Sequence, residues 1–188
     1  MFRRIYIYQE HIPDELIAVL SSLSDMIHVE TVEDNVITLY DEDYYNEEPL
    51  DIDELYMLLV DDFKTPFTMI LEPYSTTPFP LQEECKSFIK QLPQRILEFE
   101  DVIVYAVLYQ NESFKQAVKD YIQSQINADV IHTVREFITN NMNSSVSAKK
   151  LYMHRNTLNY RIDNFIDATH INVKTFKGAN AIYMLYQF

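Results

Sequence analysis

The chain of 188 residues holds 15 Lys/Arg against 29 Asp/Glu, a formal charge of −14 at pH 7, and is 47% hydrophobic and 13% aromatic. That apolar content supports a real core and argues against general disorder. One glycine, Gly178, and one cysteine, Cys85, exclude a glycine-rich phosphate loop, an intrachain disulfide and a thiolate zinc site.

The opening "MFRRIYIYQEH" has two basic residues but no apolar run long enough for a signal peptide, and no later run approaches a membrane span. A soluble cytoplasmic protein with no cofactor, no metal and no membrane partner is expected. The charge is uneven. Residues 129–188 hold seven Lys/Arg and four Asp/Glu, net +3, whereas residues 1–128 hold eight and twenty-five, net −17. Such asymmetry suggests two units with different partners.

In chain order, "RRIYIYQ" (3–9) reads as a strand. "PDELIAVLSSLSD" (13–25) spaces Leu16, Ile17, Leu20 and Leu23 as a helix. "MIHVET" and "NVITLY" are β-branched runs around a short Val32-Glu33-Asp34-Asn35 turn, hence a hairpin. His28, alternating with apolar neighbours there, reads as structural. The run "DEDYYNEEPLDIDE" (41–54) has eight carboxylates but lacks the glycine of a calcium loop, so it reads as a solvated loop with capping acids. "DIDELYMLLVDDF" (51–63) is a helix and "FTMILE" (67–72) a strand. "LQEECKSFIKQLPQRILEF" (81–99) is a helix broken or kinked at Pro93, with Cys85 on its apolar stripe as a small core residue. "VIVYAVLY" (102–109), apolar on both faces, is expected to be a central strand. "ESFKQAVKDYIQSQI" (112–126) reads as a connecting helix. The order is thus β-α-β-β-α-β-α-β followed by helices only, with a domain boundary in 110–128.

"DVIHTVREFITNN" (129–141) puts Val130, Ile131, Val134, Phe137 and Ile138 on one stripe. "NSSVSAKKLYM" (143–153) offers serine caps and then a short helix with Val146 and Leu151 inward. After a turn near Met153–His154, Leu158, Ile162 and Phe165 follow helical spacing. The opposite side carries Asn156, Tyr160 and Asp163, with Thr157 and Asn164 beside them and Arg155, Asn159 and Arg161 flanking. Two short helices, a tight turn and a donor-rich exposed face make a helix-turn-helix, whose second helix suits the major groove. "YMHRNTLNYRI" (152–162) contains no acid, as a surface that meets a polyanion requires. Asp163 and Asp167 would be repelled by phosphate, so only the first two turns should approach DNA.

"VSAKKLYMHRNTLNYRIDNF", followed about ten residues later by "ANAIYMLYQF", resembles the C-terminal helix-turn-helix of the PucR/CdaR family of bacterial transcription regulators. The resemblance covers roughly residues 128–188 and centres on His154, Arg155, Asn156, Thr157, Leu158, Tyr160 and Arg161. It implies sequence-specific binding of double-stranded DNA, usually as a homodimer. Where the family has a Thr-Gly pair after the second helix, this chain has Thr169-His170, and "KTFKGAN" replaces an acidic stretch. Family members often carry a degenerate GGDEF-like domain ahead of this unit, and the element order of residues 3–109 is compatible with such a palm fold. The glycines and acids of an active cyclase are missing there.

The expected architecture is α+β. Residues 1–110 form an acidic mixed-sheet sensor or dimerisation domain, residues 111–127 a connecting helix, and residues 128–188 the helical DNA-binding domain. Asn156, Thr157 and Tyr160 are candidates for base contacts, with Asn159 flanking. Ser147, Lys149, Lys150, Arg155 and Arg161 are candidates for phosphate contacts. His154 is a candidate for either a phosphate contact or a helix cap. The N-terminal unit could take a small-molecule or protein effector. No nucleophile–base pair or metal cluster suggests an enzyme. The alternative function is a non-catalytic interaction module whose acidic part binds a basic partner or masks the helix-turn-helix.

Overall fold

The alternation in "RRIYIY" becomes strand β1 (Arg3–Tyr8) in the computed structural model, which describes residues 1–47 and 49–187. Glu48 of the acidic run and the terminal Phe188 lie outside the described residues. The chain divides into two compact units, Met1–Val102 and Ile103–Phe188, a split upstream of the 110–128 interval. Among the described residues no helix is long and apolar enough to cross a membrane.

In the first unit β1 is followed by α1 (Asp14–Ser21), β2 (Ile27–Glu33), β3 (Val36–Asp41), α2 (Ile52–Phe63), β4 (Thr68–Leu71), α3 (Gln82–Phe88) and β5 (Ile96–Glu98). The sheet order is β2-β3-β1-β4-β5, antiparallel except for the parallel β4–β5 pair. The first four strands with α1 and α2 make the interleaved, split βαβ arrangement. Turn residues Asp34 (φ 51°) and Asn35 (φ 64°) both take left-handed backbone, the two-residue turn that matches strand twist. Ile5, Ile7, Ile37 and Leu39 of the sheet cluster with Leu16 and Leu20 of α1 and Leu55 and Leu59 of α2 as the core.

The acidic run is more structured than a solvated loop. Asp41 is buried and accepts from Arg3 Nε (2.7 Å) and the Tyr74 hydroxyl (2.8 Å). Asp43, also buried, accepts from Leu50 N (2.6 Å), and Asp51 caps α2 by accepting from Glu54 N (3.0 Å). His28 is exposed on β2 and packs beside Tyr40, ring centroids 5.2 Å apart. Cys85 is buried, and burial pushes its thiol up, so it serves as a small core residue.

Two expectations fail between residues 89 and 109. The helix from residue 81 ends at Phe88 and tightens to a 3₁₀ turn, Ile89–Gln91. After Pro93 the chain turns extended as β5 rather than resuming a helix. "VIVYAVLY" is then not a strand but most of α4 (Phe99–Leu108). Its start explains why: Asp101 at the third helical position accepts from Glu98 N (3.0 Å), half of a capping box, and Glu100 adds a second acid to the first turn. The last strand of the expected order therefore exists, but as residues 96–98.

The second unit continues with α5 (Glu112–Gln125), α6 (Ala128–Thr139), α7 (Ser144–Lys150), α8 (Arg155–Thr169) and α9 (Phe176–Gln187). Asparagines start three of these helices. Asn111, Asn127 and Asn143 accept from Phe114 N, Val130 N and Val146 N respectively, so α7 is capped by asparagine and not by serine. Helix α8 packs on α5, α6 and α7, and α9 packs on α6. Gly178, in the first turn of α9, lies against the backbone of residues 172–173. A Cβ there would stand 2.2 Å from the Asn172 carbonyl oxygen.

Two predictions follow from this packing. Gly178→Ala forces backbone apart rather than a flexible side chain, so urea denaturation should show the C-terminal unit destabilised by roughly 2–3 kcal/mol. The second concerns Glu72, buried beside Tyr6, whose hydroxyl donates to it, and receiving a bond from Arg4 N (3.0 Å). Burial pushes this carboxyl up from 4.5 to about 7. The folded state thus holds the proton more tightly than the unfolded chain. The resulting stabilisation is complete below pH 4.5 and is lost as pH rises through about 7. Glu72→Gln should remove that decline, seen as a melting temperature that no longer falls between about pH 5 and pH 8.

Candidate nucleic-acid interface

Helices α6, α7 and α8 form a three-helix body in which α7, a four-residue turn and α8 make the helix-turn-helix. The inward face of α8 is set by Leu158, Ile162 and Phe165, each 0% exposed. Helix α7 turns Ser147 and Ala148 inward, and Val146, expected inside, is exposed. With only seven residues, α7 has a narrow buried face, and Val146 falls outside it.

The turn is built by hydrogen bonds that leave one residue left-handed. Tyr152 N donates to the Lys149 carbonyl (3.3 Å) and Met153 N to the Ala148 carbonyl (3.0 Å). This pair is the Schellman ending of a helix, which requires positive φ at the residue after the C-cap. Tyr152 occupies that position at φ 51°. Helix α8 then begins on His154, whose Nδ1 accepts from Asn156 N (3.2 Å). His154 is therefore the N-cap of α8. At the far end His170 takes left-handed backbone at φ 58°, with its N–H on the Ile166 carbonyl (2.8 Å). This is the position at which the resembled family has glycine, and partial burial lowers the His170 pKa.

The candidate residues separate into three groups. Lys149, Arg155, Asn156, Thr157 and Tyr160 are exposed, the last at 72%, and Asn159 is half-buried at the edge of the same face. Lys150 is exposed but reaches back to α6, its Nζ 2.8 Å from Glu136 Oε2, an ion pair that holds the Glu136 carboxyl below its usual range. Ser147 and Arg161 are placed differently from the other candidates for phosphate contacts. Ser147 is 0% exposed and donates its hydroxyl to the Asn143 carbonyl (2.9 Å), and Arg161 Nη1 donates to Thr133 Oγ1 on α6 (2.9 Å). The Ser147 bond lies within α7, whereas the Arg161 bond ties α8 to α6.

A residue missed by the sequence reading changes the electrostatics of α8. Lys174, in the loop before α9, forms an ion pair with Asp163. That acid is on the exposed side of α8, so its negative charge is matched where it stands. Exposed pairs contribute little to stability, but this one reduces the repulsion that would confine a polyanion to the first two turns. No helical periodicity links positions eleven residues apart across a loop, so the sequence offered no signal for it.

Comparisons with known proteins agree with this geometry. Residues 130–187 match the family model of the PucR C-terminal helix-turn-helix domain. The Bacillus subtilis protein YxkF is 34% identical over 103 residues, 51% of this chain and 34% of that protein. A leucine-rich protein of Streptococcus dysgalactiae is 28% identical over 111 residues, 55% of this chain and 38% of that protein. The proline-responsive transcriptional activator PutR of Bacillus subtilis is 30% identical over 56 residues, 30% of this chain and 14% of that protein. The matched segments thus span less than two fifths of these relatives' own length. Among solved structures, a regulator of polyketide synthase expression from Bifidobacterium adolescentis aligns with a TM-score of 0.52 at 13% identity, covering 98% of this chain and 78% of that one. At that identity the likeness concerns the fold. Residues 130–187, built on α6 to α9 with an exposed, acid-free start to α8, are a helix-turn-helix domain of the PucR type.

Proposed function

We propose that this chain is a transcription regulator that reads double-stranded DNA by placing α8 in the major groove. One observation carries the reading. The first two turns of α8 present Asn156, Thr157 and Tyr160 to solvent directly opposite a fully buried apolar stripe, and no acid lies between residues 149 and 162. Amide, hydroxyl and phenol groups reach base edges and phosphates, and the exposed Lys149 and Arg155 suit the backbone on either side. Asn156 and Tyr160 are the base readers, with Thr157 between them. The family match and the name of the PutR relative support regulation of transcription.

One such unit touches few base pairs, so the active species is a homodimer on two half-sites about 34–36 Å apart. The acidic N-terminal unit is the sensor or dimerisation part, and α5 leads from it into the DNA-binding domain. The protein works as a binding switch rather than as an enzyme.

Selection from random duplex DNA by this chain tests the reading, and an enriched two-fold symmetric motif is expected. Binding of that motif by Asn156→Ala should weaken by on the order of 1–3 kcal/mol, while binding of unrelated duplexes stays as in the wild type. Lys149→Ala should weaken binding of all duplexes alike and reduce the slope of log K against log salt by about one. An equal loss on every sequence for Asn156→Ala would remove it from the base readers. No enrichment by the folded protein would sink the DNA reading.

A further inference from the structure

Tyr152 combines a backbone set by the end of α7 with a side chain that the packing does not use. It holds left-handed backbone at φ 51°, a conformation in which a Cβ is strained, and its side chain is 98% exposed. Left-handed backbone also falls on Lys64, Gln110, Met142 and His170, so the conformation alone does not single Tyr152 out; its exposure does, the highest of the exposed large hydrophobic residues among those described. Glycine at this place would satisfy the same Schellman hydrogen bonds without strain. The ring contributes nothing to the core in return.

What surrounds it is informative. Tyr152 stands at the head of α8, between Lys149 on one side and the exposed His154 and Arg155 on the other. The acids nearest in the chain to either side of this stretch, Glu136 and Asp163, are each paired with a lysine. A phenol has one O–H donor and a flat apolar face, which together match a phosphate oxygen and the deoxyribose beside it. We infer that Tyr152 is a DNA-backbone contact: its hydroxyl donates to a phosphate and its ring lies on the adjoining sugar, fixing the depth at which α8 enters the groove. This rests on the DNA-binding reading above and adds to it a positioning residue that acts on every sequence alike.

Strain at the contact residue predicts that stability and binding move in opposite directions. Thermal melting and DNA titration of three proteins test this: the wild type, Tyr152→Ala, which keeps the Cβ and removes the ring, and Tyr152→Gly, which removes both. Tyr152→Ala should melt with the wild type and bind selected and unrelated duplexes about tenfold more weakly. Tyr152→Gly should melt roughly 3–6 °C higher and bind no better than Tyr152→Ala. Wild-type affinity in Tyr152→Ala overturns the inference while leaving the DNA reading intact. A lower melting temperature for both variants would also overturn it, since the ring would then be part of the fold. If the folded wild type binds no duplex at all, the DNA reading fails and this contact falls with it.

Discussion

The scarcity of glycine constrains this chain more than any other feature. Its single glycine, Gly178, stands where the backbone of residues 172–173 leaves no room for a Cβ. Left-handed backbone elsewhere therefore falls on residues that carry one. Lys64, Gln110, Asn141, Tyr152 and His170 all follow the last turn of a helix with φ between 51° and 58°. Each costs on the order of 1 kcal/mol against glycine, and persists because the surrounding hydrogen bonds and packing over-determine it. The angle between α7 and α8, and so the presentation of the helix-turn-helix, depends on one of these residues.

Helix starts show the complementary economy. Asn111, Asn127 and Asn143 cap α5, α6 and α7, and His154 caps α8. Each side chain satisfies a backbone N–H that the helix geometry leaves open. In a chain of formal charge −14, it matters that none of these four caps is an acid. An aspartate at position 154 would cap equally well but would put a negative charge at the start of α8. Caps without a carboxylate, together with the Lys150–Glu136 and Lys174–Asp163 pairs, limit the negative charge on this face without making the whole protein basic.

Most of this was legible in the sequence, and the exceptions have definite causes. The Asp34-Asn35 turn announced the hairpin, and the spacing of Leu158, Ile162 and Phe165 announced which side of α8 is buried. The run at 102–109 was ambiguous because an unbroken apolar stretch fits a doubly buried strand and a buried helix equally well. The deciding signal, Asp101 reaching back to Glu98 N, lay just before the run and not in its periodicity. Arg161 and Ser147 lie further inward than their spacing suggests. Helical spacing gives the direction of a Cβ, not the end point of a long or hydroxyl-bearing side chain. Arg161 is drawn inward by a partner 28 positions away, Thr133, which no local pattern reveals.

The size of the exposed face sets how the domain can achieve specificity on the proposed reading. From Asn156 to Tyr160 the helix rises about 6 Å, enough to pass two base pairs. Three base-reading side chains at about 2 kcal/mol each discriminate by roughly 10⁴. A genome offers on the order of 10⁶–10⁹ competing sites, so one copy of α8 cannot find a unique target. Two copies held in fixed register multiply the discrimination to roughly 10⁸, which lies within the range required. Specificity then depends as much on what holds two copies together as on α8. A unit outside the DNA-binding domain that alters the spacing or rigidity of the pair could switch target recognition without touching any base-reading residue.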